Sequence, residues 1–64
     1  MSDFTKNKQA NALIHQVQAP YADSPEGVEK TQKFTAILRD IYKKNGKIAA
    51  IPLMKQAYLD FTGE

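Results

Sequence analysis

The stretch from Ser24 to Gly46 carries a start signal, an amphipathic stripe and a stop signal for one helix, and no other segment of the chain is as constrained. Ser24-Pro25-Glu26 opens it: a serine oxygen can accept a hydrogen bond from a first-turn amide, and Pro25 lacks the amide that would otherwise go unpaired. Glu26 lies at the positive end of the helix dipole, while Lys43 and Lys44 lie in the last turn, where positive charge is favoured. Glu26 precedes Lys30, Glu29 precedes Lys33 and Asp40 precedes Lys44, each by one helical turn with the acid first. That order suits side-chain ion pairs, which bias a helix without deciding a fold. Val28, Phe34, Ile37, Leu38, Ile41 and Tyr42 follow three- and four-residue spacing, with Thr31 and Thr35 at the stripe's edge. One face is therefore built for burial. Asn45-Gly46 closes the run, because glycine accepts left-handed backbone at little cost. Gly27, in the first turn, reads as a weakness of about 1 kcal/mol relative to alanine.

Upstream, the sequence predicts a first helix over about 3–18, with Ala10, Leu13, Ile14 and Val17 as a short stripe and Phe4 as an anchor. Ser2 or Asp3 is its expected cap. Thr5 to Gln9 is wholly polar, so the first turns are expected to fray unless Phe4 packs. Ala19-Pro20 stops this helix, since the residue before proline is pushed out of helical backbone, and Pro20 to Asp23 reads as a turn. Downstream, residues 47–51 fit a helical turn, an extended connector or a brief strand. Pro52 reads as a helix start. Leu53, Met54, Ala57, Tyr58 and Phe61 then repeat at helical spacing up to Thr62-Gly63. The expected fold is all-α: one small domain over 1–64 with helices at about 3–18, 25–45 and 52–61, which dimerisation could complete.

Sixty-four residues give a single core little stability to spare, and the chain has no cysteine to staple it. The lack of cysteine also removes the usual thiolate zinc sites and suits a reducing compartment. No segment approaches the ~20 apolar residues of a membrane span, and the N-terminus lacks a basic stretch followed by an apolar run. A cytoplasmic location is the expectation. The net charge of +2 biases the surface only weakly toward anionic partners.

Chemistry is sparse. His15 is the only histidine, and no Cys, Asp or Glu lies one helical turn away to complete a metal site, so it reads as a surface residue at the stripe's margin. Asp23, Glu26, Glu29, Asp40 and Asp60 read as caps, dipole partners and helix pairs. Ser2 and Ser24 lack an accompanying base, and three scattered glycines make no phosphate-cradling loop. No catalytic residue, metal, cofactor or small-molecule substrate is indicated, and the expectation is a protein without enzymatic activity.

Two surfaces remain as candidates. Phe34, Ile37, Leu38, Ile41, Tyr42, Met54, Tyr58, Leu59 and Phe61 offer more apolar stripe than a thin first helix covers, which points to a protein partner, a second copy or a larger protein. The competing reading is that the helices close on themselves with Ile48 and Ile51 filling the gap. Lys43, Lys44 and Lys47 cluster at the exit of the second helix, with Lys55 and Gln56 on the third, and could contact nucleic acid in a helix-turn-helix-like arrangement. Two of those lysines also simply complement the helix dipole. Membrane attachment through the first helix is disfavoured by its small stripe. The leading expectation is thus a small helical interaction or regulatory protein, with a DNA-binding regulator as the alternative.

Overall fold

The first α-helix begins after Asn7. The computed structural model describes residues 3–21 and 24–63, and all the regular structure among them is helical. Helix α1 spans Lys8–Gln18, and Asn7 caps it from an extended backbone, its Oδ1 accepting from the Ala10 amide at 2.9 Å. Asp3–Lys6 forms a separate 3-10 turn, closed by the Asn7 amide donating to the Phe4 carbonyl at 3.0 Å. The helix expected over 3–18 is therefore two elements. The physical reason is that a short amide side chain competes for first-turn donors and favours the extended cap over continued helix. Of the two caps expected there, Ser2 lies outside the described residues, and the role falls to Asn7. The polar run Thr5 to Gln9 is ordered by what it connects, because Phe4 is buried, at 4% exposure.

After α1 the chain turns through a 3-10 segment, Ala19–Tyr21. Ala19 keeps helical angles of φ −51° and ψ −46°, so the residue before Pro20 is not pushed out of helical backbone as expected, although α1 does end at Gln18. Ala22 and Asp23, the rest of the expected turn, lie outside the described residues. Helix α2 spans Pro25–Thr62 and starts as its sequence dictates, with Ser24 Oγ accepting from the Gly27 amide at 3.2 Å and Pro25 in the first turn. All three expected ion pairs form, at 3.9 Å for Lys30 with Glu26, 3.5 Å for Lys33 with Glu29 and 3.2 Å for Lys44 with Asp40.

Gly46 breaks α2 at φ 85° and ψ 170°, leaving arms over 25–45 and 47–62. A straight helix of that length would run about 57 Å. The molecule's longest dimension is 31 Å, because the chain doubles back at this residue. The second arm starts at Lys47, not at Pro52, which lies inside the helix. Gly46 supplies the N-terminus five residues early, and Pro52 then withholds only the amide that would have met the Ile48 carbonyl. Ile48 is 82% exposed, so water can serve that group. The fold is all-α as expected, but as two α-helices with 3-10 turns, the second of them broken, rather than three separate helices. Gly63, at φ 78°, closes the second arm with its amide donating to the Leu59 carbonyl.

The core joins these pieces. Ala10, Leu13 and Val17 from α1 meet Phe34 and Leu38 from the first arm and Ala50 and Met54 from the second, with Phe4 closing one end. Phe34, Leu38 and Met54 are fully buried. Aromatic edges surround them: Phe34 lies 5.2 Å from Phe61 and 6.0 Å from Tyr58, and Phe4 meets Tyr42 edge-on at 5.7 Å. Such pairs contribute beyond the area they bury. One polar atom inside lacks a partner among the described residues, the Thr31 hydroxyl, although the Thr31 carbonyl accepts from Thr35 Oγ1 at 2.7 Å.

Candidate functional site

The apolar stripe divides into a covered part and an open part. Phe34, Leu38 and Met54 are enclosed by this chain's own helices, so they support a surface without belonging to it. Ile41, Tyr42, Tyr58, Leu59 and Phe61 are half-buried, and Ile37 is exposed. Ile37 stands one turn before Ile41 on the first arm, and Leu53 stands one turn before Ala57 on the second. Ile41 and Ala57 both pack against the core, so Ile37 and Leu53 mark its outer edges. They are 41% and 42% exposed. On the opposite flank of the second arm, Ile51 is 44% exposed and Ile48 far more so. Ile48 and Ile51 therefore do not fill the gap between helices. Pattern reading missed them as surface residues because the five residues before Pro52 carried no single period.

The expected nucleic-acid set is dispersed. Lys43, Lys44, Lys47, Lys55 and Gln56 are all exposed. Lys44 is paired with Asp40, and the Gln56 amide donates to Asp60 Oδ1 at 3.0 Å. Lys47 is drawn away from the others toward the start of α1. There it joins Lys6 and Lys8, two residues that no sequence pattern singles out, around a groove of about 530 Å³.

That groove is built from the N-terminal segment and both arms of α2. The 3-10 turn and the start of α1 supply Lys6, Asn7, Lys8 and Gln9, the first arm supplies Tyr42, and the second arm supplies Lys47 and Ile51. Gln9 Nε2 donates to the Ile51 carbonyl at 2.9 Å, tying the α1 wall to the second arm. Tyr42 is steadied by the edge of Phe4, over which Arg39 also sits at 5.8 Å. Among the described residues no carboxylate lines the groove, and none of the three lysines has an ion pair. The arrangement offers mobile positive charge beside neutral amides, a phenol and one apolar wall. A second, smaller hollow of about 310 Å³ lies between Val17, Pro20, Tyr21, Lys30, Tyr58 and Phe61 at the other end of the core.

Other chemistry is thin where it can be seen. His15 is exposed on the last turn of α1. Among the described residues no three His, Cys, Asp or Glu side chains gather to hold a metal ion, and no helix is long and apolar enough to cross a membrane. Lys30 has its pKa raised, first by its hydrogen bond to the Tyr21 hydroxyl. The chain matches no known family, and no curated protein or solved structure was found similar to it.

Proposed function

We propose that this chain is a small, non-enzymatic helical interaction protein that docks on a protein partner, a second copy of itself foremost, through the apolar edges of the two arms of α2. One observation carries the reading: Ile37, Leu53, Ile51 and Ile48 stay 41–82% exposed on a helix that fully buries Phe34, Leu38 and Met54, and Val28 near its start is 44% exposed as well. Covering aliphatic surface contributes about 25 cal/mol per Å² removed from water, so a partner has something to gain there. Ile41, Tyr42, Tyr58, Leu59 and Phe61 would lend their accessible edges, the tyrosines pairing an apolar ring with a polar tip. Apolar edges presented identically by two copies suit a twofold interface. The absence of cysteine suits such a protein to the reducing cytoplasm.

Sedimentation velocity across a wide concentration range tests this. Concentration-dependent association that Ile37→Glu with Leu53→Glu abolishes, at unchanged helix content, is the expected result. A monomer at every concentration overturns self-association. The DNA-binding alternative, a helix-turn-helix-like regulator, has less behind it. The arms of α2 are separated by one residue, where that motif uses a turn of about three or four, and Lys44 and Gln56 are already engaged with acidic neighbours.

A further inference from the structure

We infer that the groove between the start of α1 and the bend of α2 is a binding site for a phosphate-bearing small molecule, gripped by the ammonium groups of Lys6, Lys8 and Lys47. Three like charges around one concavity repel each other unless an anion sits among them, and a concave wall focuses their field on whatever enters. Lys30, Lys33 and Lys44 each have a carboxylate one turn away, whereas among the described residues Lys43 and Lys55 stand singly on the exposed surface. Among the described residues the groove lysines have no such partner, and the lining holds only neutral groups besides them. The groove is therefore the place where three lysines without an ion pair among the described residues share one concavity.

The chemistry of the lining specifies the ligand further. Lysines are point charges on flexible stems, suited to a charged phosphate chain rather than to a single planar carboxylate. The Tyr42 hydroxyl and the Asn7 and Gln9 amides add neutral hydrogen-bonding groups, while the Ile51 side chain and the Tyr42 ring offer surface to an organic body. The groove's volume falls within the usual range for small-molecule sites, about 300–1,000 Å³. Lys8 and Lys47 are also the first residues of α1 and of the second arm, and a helix start carries partial positive charge. This site shares Tyr42 and Ile51 with the apolar edges proposed for protein docking but not Ile37 or Leu53, and of its three lysines only Lys47 belongs to the set considered for DNA.

Backbone-amide NMR titration of the full chain with inorganic pyrophosphate and, separately, with ADP at low ionic strength tests the inference. The expected result is saturable shifts confined to residues 6–9, 42 and 47–51, with affinity weakened about tenfold by Lys8→Gln and about tenfold by Lys47→Gln, as for losing one charge-assisted contact. Lys33→Gln and Lys55→Gln serve as controls that keep the affinity. Binding of both probes places recognition in the phosphates; binding of ADP alone adds the Tyr42 and Ile51 wall; either supports the site. Circular dichroism of each variant separates lost binding from lost folding. No saturable shift with either probe in the millimolar range overturns the inference, as do shifts spread evenly over Lys33, Lys43 and Lys55.

Discussion

Gly27 lies so close beneath Tyr21 that a Cβ added to it would overlap the tyrosine Cβ and come within 3.3 Å of its Cγ. What reads in the sequence as a flaw in the first turn of α2 is the contact that lets the Ala19–Tyr21 turn fold back onto the helix. Propensity alone says that Gly27→Ala should gain about 1 kcal/mol. The structure says the reverse, a loss of about 1–3 kcal/mol from overpacking against a backbone-proximal atom. Chemical denaturation of the variant decides between the two signs, and Tyr21→Gly in the same background should recover part of the loss.

Thr31 hides a hydroxyl that no described group satisfies. Thr31→Val keeps the shape and removes the oxygen, so stability should rise by about 1 kcal/mol, the lower end of the penalty for a buried unsatisfied group. An unchanged or lower denaturation midpoint would show that the hydroxyl has a partner after all.

Leu38 is fully enclosed and Ile48 is not, although both are large aliphatic residues on α2. Leu38→Ala should cost about 2–5 kcal/mol. That is comparable with the whole stability of a chain this short, about 3–10 kcal/mol. Its helical signal should be weakened or lost at room temperature. Ile48→Ala should leave the melting curve within about 0.5 kcal/mol of the parent.

Lys30 donates to the Tyr21 hydroxyl at 2.9 Å, and that bond leads the causes that raise its pKa above 10.5. A cation favoured in the folded state contributes fully below its unfolded pKa, and the contribution disappears as pH rises through the folded value. The pair therefore stabilises at neutral pH and is lost only in the alkaline range above 10.5. In Tyr21→Phe the Lys30 titration followed by NMR should move down toward that value, and the alkaline loss of stability attributable to Lys30 should shrink.

The polar signals of α2 were readable because they act over one turn. Ser24, Glu26, Lys30, Glu29, Lys33, Asp40 and Lys44 find their partners within four residues, so spacing alone names them. Asn7 was hidden in a polar run in which any of several residues could cap. Pro52 misled for a related reason: proline at a helix start and proline shortly after one look alike until Gly46 is known to supply the break. The Gly27 approach to Tyr21 and the gathering of Lys6, Lys8 and Lys47 depend on how separate segments dock, and no local pattern encodes them. The apolar stripe was legible as a stripe, but which of its members end up covered was decided by how α1 lies across it.

Gly46 turns the chain without help from its surroundings, since nothing lies within 4 Å of where its Cβ would be. The bend is held by stereochemistry instead. Its backbone angles, with both signs reversed, are ordinary extended values for an L-residue, so this interior position is the one that calls for the opposite hand. L-alanine and D-alanine differ there only in chirality, and a chemically synthesised pair should separate cleanly: the L-form destabilised by about 1–3 kcal/mol, the D-form at least as stable as glycine. The reversal that brings Lys47 to face Lys8 is thus written in the handedness of a single α-carbon.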